Sequence, residues 1–117
     1  MDDRPFCYLT TRGRRTGRPH EIEIWFVVVR ATAYLMAGGR ERADWVRNLV
    51  AEPEATLRVG AESFPARGRV VEEGTAEDAE ARRLMLAKYA TPGTGELDSW
   101  GRSALVVAID VPGWDEA

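Results

Sequence analysis

The sequence is poor in the residues that disulfides and most metal sites require. Its 117 residues include one cysteine, Cys7, and one histidine, His20. A single cysteine excludes a disulfide framework, and the two residues together supply too few ligands for a structural zinc site, so we expect no metal. Cys7 lies in the apolar-rich segment FCYLT, where we expect a small buried packing residue. The alternative is a Cys7–His20 nucleophilic pair, although the two residues belong to different predicted strands.

Long hydrophobic runs are also missing. The longest apolar stretch lies within IEIWFVVV and has the length of a strand, whereas a membrane-spanning helix needs about 20 apolar residues. The first residues, MDDRPF, lack the order of charged, apolar and small residues that marks a signal peptide. We therefore expect a cytoplasmic protein without a membrane span.

No excess of positive charge extends over the whole chain. The formal net charge is −3, but residues 1–50 carry +3 and residues 51–117 carry −6. Since nucleic-acid-binding domains usually present a basic surface, we expect no nucleic-acid partner, and a local anion site in the first half fits the distribution better. The chain also lacks GxSxG, P-loop, GxGxxG and HExxH motifs, so an enzyme of this sequence would rely on a bound cofactor for its chemistry.

Hydrophobic periodicity predicts one domain of mainly β structure over residues 1–117. Alternating and β-branched stretches predict six strands, at 6–12, 20–30, 33–37, 55–60, 63–72 and 103–111. Apolar residues at intervals of three and four predict two helices, within 40–53 and 75–90, the second opened by a capping-box-like Thr75-x-x-Asp78. We expect a closed or nearly closed antiparallel β-barrel with helices at its ends and a frayed tail after residue 111.

The segment TTRGRRTGRP, residues 10–19, places arginines and glycines between the first two predicted strands. Gly13 and Gly17 can adopt positive φ, and a glycine-flanked turn can present several backbone N–H groups to one side as an anion nest. Arg14, Arg15 and Arg18 add donors suited to phosphate or carboxylate. The alternative is a hairpin turn whose arginines are only solvated.

A second candidate feature is the Gly38-Gly39 pair, which ends a predicted strand and leads into the first predicted helix. Helix N-termini favour anions, and Arg40 lies at the same entry. The two Gly-Arg strand ends would then converge on one phosphorylated or polycarboxylate ligand. An ordinary tight turn is the alternative.

Trp45 and Asn48 share a face of that helix because they lie three residues apart. Either Trp45 packs on a flat ligand ring while Asn48 hydrogen-bonds its edge, or the pair is a core tryptophan with an exposed asparagine. Trp25, Tyr89 and Trp100 likewise offer either core packing or the walls of an aromatic pocket.

The same residues carry a family resemblance. The segments LTTRGRRTGRPHEIEIWFV and AGGRERADWVRNLVAEPEATLRVG, followed by DSWGRSALVVAIDV, resemble the deazaflavin-dependent nitroreductase family, also called the flavin/deazaflavin oxidoreductases. The shared pattern is a strand ending in Thr-Thr, a Gly-Arg loop, a Gly-Gly pair and a helix bearing Trp-x-x-Asn-Leu. It spans roughly residues 7 to 111.

This resemblance implies a split β-barrel that commonly forms homodimers and binds coenzyme F420, with FMN used by related branches. It implies that the cofactor's phosphate and acidic tail are held by Arg14, Arg15 and Thr16 with the amides around Gly13 and Gly17. The residues implied for the deazaflavin ring are Trp25, Gly38, Gly39, Trp45 and Asn48. One departure from the family pattern is His20, which stands where an arginine is frequent.

The leading hypothesis is an enzyme that passes a hydride from reduced F420 to a small electron-poor acceptor, such as a quinone, an enone or a nitro compound. Tyr8, Tyr89 and Ser99 are candidate proton donors. One alternative is an FMN-binding reductase of the same fold. The other is a non-catalytic domain that binds an anionic cofactor, lipid or nucleic acid through the same loop.

Overall fold

The computed structural model describes residues 5–89 and 103–114. Seven strands form one sheet, in which every neighbouring pair is antiparallel. The strands are β1 Phe6–Arg12, β2 Pro19–Trp25, β3 Val27–Val29, β4 Thr32–Ala37, β5 Glu54–Val59, β6 Glu62–Val70 and β7 Leu105–Asp110. Two helices, α1 Asp44–Ala51 and α2 Ala76–Tyr89, and two 3-10 turns, Arg40–Arg42 and Pro112–Trp114, complete the described elements.

The order of the strands shows that the sheet curls into a half-barrel. The order is β2-β1-β5-β6-β7-β4-β3, so β2 and β3 are the two outermost strands. Only Phe26 separates them in the chain, and one residue can join two sheet edges only if the sheet bends round on itself. The strand predicted at 20–30 is therefore two strands, the first paired with β1 and the second with β4.

The bend at Phe26 is held by the end of α2. The backbone N–H of Phe26 donates to the Tyr89 hydroxyl over 3.0 Å, and that hydroxyl lies 2.9 Å from the Phe26 carbonyl and 2.7 Å from the Pro5 carbonyl. Lys88 Nζ donates to the Phe26 carbonyl over 2.8 Å. Trp25 stacks on the Tyr89 ring with centroids 4.4 Å apart. These contacts satisfy the backbone groups that leave the strand ladder at the bend.

Two apolar layers stabilise the sheet. One fills the half-barrel, and its fully buried members include Leu9, Leu35, Leu57 and Ile109. The other lies between the sheet and α2, around Met85 and Val106. Since β7 contributes to both layers, its residues Leu105–Ile109 are all buried, which accounts for the continuous apolar sequence of that strand.

Helix α1 packs across the half-barrel against β1 and β6. Leu49 lies directly over Gly68, where an added Cβ would come within 2.6 Å of the Leu49 Cδ2 atom. Gly68 also donates its N–H to the Pro53 carbonyl over 2.9 Å. The glycine in β6 therefore allows the close approach that fixes the position of α1.

Helix α2 is tied to the sheet by an ion-pair network. Arg69 on β6 contacts Glu77 on α2 at 2.7 Å and Asp110 on β7 at 2.7 Å, and the Tyr34 hydroxyl donates to Glu77 over 2.6 Å. The bonds from Arg69 and then Tyr34 lower the pKa of Glu77 to about 2. Burial and the carboxylate raise the pKa of Tyr34 to about 12.

The structure confirms the predicted start of α2 but not the predicted frayed tail after β7. The start of α2 is confirmed, because the Thr75 hydroxyl accepts the Asp78 N–H over 3.1 Å and the Asp78 carboxylate accepts the Gly74 N–H over 3.3 Å. The frayed tail is wrong for Pro112–Trp114. Trp114 packs edge-to-face on Phe64 with centroids 5.5 Å apart.

Candidate functional site

The arginine-rich segment forms a closed turn between β1 and β2. The N–H of Gly13 donates to the Arg18 carbonyl and the N–H of Gly17 donates to the Gly13 carbonyl, each over 2.8 Å. Gly17 has a φ of +74°, which a residue with a side chain rarely adopts. Because the turn itself uses the amides of Gly13 and Gly17, the backbone donors of the turn that have no hydrogen-bond partner among the described residues are those of Arg15 and Thr16.

Arg14 fastens this turn to α1. Its backbone N–H and its guanidinium NH1 both donate to the Asn48 side-chain oxygen, over 3.3 and 2.8 Å. Asn48 in turn donates to the Thr11 hydroxyl over 3.3 Å, and Arg14 pairs with the Asp44 carboxylate over 3.3 Å. Asn48 is 5% exposed and Thr11 is 1% exposed. The alternative of an exposed asparagine is therefore wrong, and Asn48 is the buried connection between the turn and the helix.

Between the turn, the start of β2 and α1 lies an open concavity of about 460 Å³, which we call the loop concavity. Arg15 and Thr16 are exposed at its rim, and Trp45 is a half-buried part of its wall. Its lining residues are Gly13, Arg14, Arg15, Thr16, His20, Glu21, Ile22, Asp44, Trp45 and Asn48. The structure thus brings together six of the residues predicted for the cofactor.

Gly38, Gly39 and Arg40 lie in a neighbouring concavity lined by residues 38–43. The start of α1 separates the two spaces, since Ala43 lines one and Asp44 lines the other. The predicted helix start at Arg40 is wrong, because a 3-10 turn and the extended Ala43 come first and α1 begins at Asp44.

Arg40 itself is already paired. Its guanidinium bonds to the Glu73 carboxylate, lies 3.4 Å from the Glu41 carboxylate and donates to the Ser103 carbonyl. Its backbone lies in the left-handed region, with a φ of 54°. An anion would have to displace these carboxylates to reach Arg40, so its predicted role in cofactor binding has less support from the geometry than that of Arg15.

Two further predicted residues lie outside the loop concavity. Trp25 stacks on Tyr89 at the bend between β2 and β3. Gly17 borders a separate depression of about 280 Å³, which Arg12 and Thr56 also line. Their roles toward a cofactor stay predictions, as do those of the other residues named from the resemblance.

Tyr8 and Tyr89, the two candidate proton donors that the structure describes, both have hydroxyl groups already engaged in hydrogen bonds. The Tyr8 hydroxyl donates to Glu23 over 2.6 Å, and this bond raises the pKa of Tyr8. The Tyr89 hydroxyl is engaged at the bend, and burial raises its pKa. Ser99 lies outside the described residues.

The single cysteine is confirmed as a core residue. Cys7 is fully buried, and desolvation raises the pKa of its thiol to about 12. A thiolate is the nucleophilic form of cysteine, so this thiol is unsuited to nucleophilic catalysis. Cys7 pairs with Ile24 and His20 pairs with Thr11 in the strand register, which places the cysteine and the histidine four positions apart along the strands.

His20 and Asp44 also line the loop concavity, and neither is among the residues that the sequence predicts for the cofactor. The His20 ring lies over Gly13, where an added Cβ would come within 2.8 Å of Nε2. Its signal in the sequence is a lone histidine directly after the arginine-rich turn. Asp44 carried no signal, because its importance arises from the pairing with Arg14.

Two features are absent from the described ranges, 5–89 and 103–114. No group of three or more side chains there is arranged to hold a metal ion. No helix in that part of the chain has the length and apolar character needed to cross a membrane.

The fold and the loop concavity define an antiparallel half-barrel protein with a candidate small-molecule site beside an arginine-rich turn. The chain belongs to the F420H(2)-dependent quinone reductase family, whose family model matches residues 1–111. This confirms the resemblance to deazaflavin-dependent oxidoreductases. No curated protein sequence matches the chain significantly.

Several solved structures are similar to this one. An F420-H2 dependent reductase, FDR-A, has 21% identity and a TM-score of 0.74, with 92% of this chain and 95% of that chain covered. The heme storage protein HutZ from Vibrio cholerae has 16% identity and a TM-score of 0.75, covering 92% and 82%. A structure described as a domain-swapped dimer has 23% identity and a TM-score of 0.74, covering 93% and 82%. At these identities the likenesses show the fold alone.

Proposed function

We propose that this chain is an F420H2-dependent reductase that transfers a hydride to a small electron-poor acceptor, such as a quinone, an enone or a nitro compound. The observation that carries the proposal is the family match, which extends over the arginine-rich turn, the Gly-Gly pair and α1. Every residue that lines the loop concavity falls within the matched range.

The residues of the loop concavity fit a ligand with an anionic tail and a flat ring. The Arg15 guanidinium is exposed and has no carboxylate partner among the described residues, and the unpaired backbone amides of Arg15 and Thr16 add neutral donors in the same turn. Trp45 supplies an aromatic surface next to these donors. We infer that Arg15 and Thr16 hold the phosphate and acidic tail of F420 and that the ring packs toward Trp45.

F420H2, when bound, supplies the hydride. The chain's own residues then need only bind and orient the two reactants, and the buried thiol of Cys7, with its raised pKa, is not an activated nucleophile. In this account Arg14 and Asn48 keep the turn against α1, while Arg15 and Trp45 face the ligand.

A turnover assay tests the proposal. Purified protein is mixed with F420H2 and, in separate reactions, menadione, 2-cyclohexen-1-one and a nitroimidazole, and the return of oxidised F420 absorbance is followed. We expect turnover with at least one acceptor and a KM for F420H2 that rises roughly tenfold or more in Arg15→Ala, because a charge-assisted hydrogen bond contributes about 1.5–3 kcal/mol.

Arg83→Ala is the matched control. It removes the same charge from the exposed face of α2, where Arg83 pairs only with Glu80 among the residues described. We expect its kinetics to equal those of the wild type. Binding of F420 without turnover of any acceptor would contradict the enzymatic part of the proposal and favour a non-catalytic binder, and turnover with FMN in place of F420 would favour an FMN reductase.

We also propose that the chain forms a homodimer. The support is the family resemblance together with a 23% identical structure described as a domain-swapped dimer. Light scattering coupled to size-exclusion chromatography should give the mass of two chains at micromolar concentration. The mass of one chain would contradict this proposal. A cytoplasmic location stays a prediction.

A further inference from the structure

Arg40 has a backbone conformation that a residue with a side chain rarely adopts. Its φ is 54°, in the left-handed region, and Arg30 is the other described non-glycine residue with a positive φ. Arg30 lies in the short turn between β3 and β4, where a hairpin commonly requires such a value. Arg40 instead follows Gly39 and begins a 3-10 turn, so its strain needs compensation from the contacts of its side chain.

The Arg40 guanidinium joins separate parts of the chain. It bonds to the carboxylate of Glu73, which lies between β6 and α2, and it donates to the carbonyl of Ser103, shortly before β7. The Glu41 carboxylate lies 3.4 Å from it. The side chains of Arg40 and Glu73 are 35% and 53% exposed, so a dissolved anion can reach this pair. Glu73 therefore occupies a position at Arg40 that suits a ligand anion.

Arg40 also borders the concavity of about 540 Å³ lined by residues 38–43, which we call the Gly-Gly concavity. Arg42 lines it as well, is exposed and has no carboxylate partner among the described residues. Glu41 contributes one negative charge to the lining, and Glu73 supplies a second through its bond to Arg40. Loss of that bond leaves the two arginines opposed by Glu41 alone, and the resulting positive charge favours an anion.

We propose that Glu73 is an autoinhibitory residue of the Gly-Gly concavity, whose carboxylate occupies Arg40 and so weakens the binding of a sulfate or phosphate group there. A guanidinium binds carboxylates and phosphate-type anions through the same donors, so the two compete. Because an exposed ion pair is weak, Arg40 is free for part of the time, and the apparent affinity for the anion is reduced by that fraction, roughly threefold to fivefold. This inference concerns a different space from the loop concavity and does not rest on the proposed cofactor.

Backbone amide NMR of the isotope-labelled full chain separates the two spaces. Sodium sulfate is added at constant ionic strength, and the signals of Gly38 and Gly39 are followed in the wild type and in Glu73→Gln. We expect saturable shifts in both proteins, with a sulfate dissociation constant roughly threefold to fivefold lower in Glu73→Gln. The signals of Arg15 and Thr16 report the loop concavity and should respond to sulfate equally in both proteins.

Two further variants test whether Glu73 acts through Arg40. Arg40→Gly removes the guanidinium and suits the left-handed backbone, so we expect it to fold and to lose most of the sulfate response of the Gly-Gly concavity. Adding Glu73→Gln to Arg40→Gly should not change the affinity for sulfate. Glu80→Gln is the matched control, because Glu80 pairs with Arg83 on the exposed face of α2, and it should keep the wild-type affinity.

The results decide the inference as follows. A lower dissociation constant in Glu73→Gln that requires Arg40 supports it. Equal dissociation constants in the wild type and Glu73→Gln overturn it, and so does a gain in affinity that persists in the Arg40→Gly background, because that gain would be a general effect of charge. A wild-type sulfate response in Arg40→Gly also overturns it, whether or not Glu73→Gln folds. These results leave the F420 reductase unaffected, since the kinetics of Arg15→Ala test that proposal separately.

Discussion

Asn48→Ala tests the connection between the arginine-rich turn and α1. The substitution removes two bonds to Arg14 and one to Thr11, at 3.3, 2.8 and 3.3 Å. One of the two Arg14 bonds involves the charged guanidinium, and the Thr11 hydroxyl, at 1% exposure, is left buried without this partner. At about 0.5–1.5 kcal/mol for each neutral bond and more for the charged one, we expect a loss of about 3 kcal/mol in the free energy of unfolding.

Urea denaturation and thermal melts measure this loss. For a domain of this size, 3 kcal/mol corresponds to a fall of about 10 °C in Tm, which a domain of ordinary stability survives. Asn48→Asp retains an acceptor for Arg14 and should cost about 1 kcal/mol. Val50→Ala, at a 69% exposed position of the same helix, is the control and should be near neutral.

A double-mutant cycle of Arg14 and Asn48 tests whether the two side chains stabilise the protein through a shared interaction. Arg14→Ala and Asn48→Ala should show a coupling of about 1.5 kcal/mol, because both remove the charged bond between the Arg14 guanidinium and the Asn48 side chain. A coupling under about 0.5 kcal/mol would mean that Asn48 supports the helix without holding the turn. The same result would remove the reason for treating Arg14 as a positioning residue.

Three further predictions concern the rest of the fold. Gly68→Ala should destabilise the protein by about 1–3 kcal/mol in urea, because its Cβ would come within 2.6 Å of Leu49, and Leu49→Ala should make the glycine substitution less costly; strict additivity would contradict the contact. The pKa of Glu77 is about 2 in the folded protein, below its ordinary value of 4.5. Its ionised form therefore stabilises the fold above the unfolded-state pKa, and this stabilisation is lost as the pH falls toward 2. In Glu77→Gln the fall in Tm between about pH 5 and pH 3 should therefore be smaller, and stability at pH 7 lower by about 1 kcal/mol, since Glu77 is 34% exposed; an unchanged acid profile would show that the bond to Arg69 contributes nothing. Tyr89→Phe should cost about 1–2 kcal/mol by leaving backbone groups at the bend between β2 and β3 unpaired, and a neutral result in thermal melts would mean that stacking alone holds the bend.

Local patterns in the sequence determine most of the strands. The alternation of FCYLTTR predicts β1 within its observed bounds, and the capping residues before α2 predict its start. The continuous run at 20–30 could not reveal the bend at Phe26. That bend depends on Tyr89, which lies 63 positions away in the chain, and no local pattern reports such a contact.

The candidate site shows the same division. The sequence identifies the turn and the helix that meet in the loop concavity, because four arginines and two glycines cluster within residues 10–19 and Trp45 and Asn48 share a helix face. It does not show which arginines are free. Arg40 is taken up by carboxylates and Arg14 by Asn48 and Asp44, whereas Arg15 remains available, and these pairings exist only in the folded chain.

The burial of Asn48 was also hidden from the sequence. An asparagine three residues after a tryptophan on an amphipathic helix indicates a shared face but not whether that face is covered. The turn covers it, and the amide then accepts from Arg14 and donates to Thr11. A buried amide with these partners is satisfied in a way that neither of the two sequence interpretations anticipated.

The central claim is that the loop concavity binds F420 through Arg15. A fluorescence titration of the purified wild type and Arg15→Ala with F420, run in parallel with FMN, tests it most directly. The account predicts saturable binding of F420 in preference to FMN, with an affinity that falls roughly tenfold or more in Arg15→Ala and is unchanged in Arg83→Ala. Equal affinity of the wild type and Arg15→Ala for F420, or no binding of F420 at all, would contradict it.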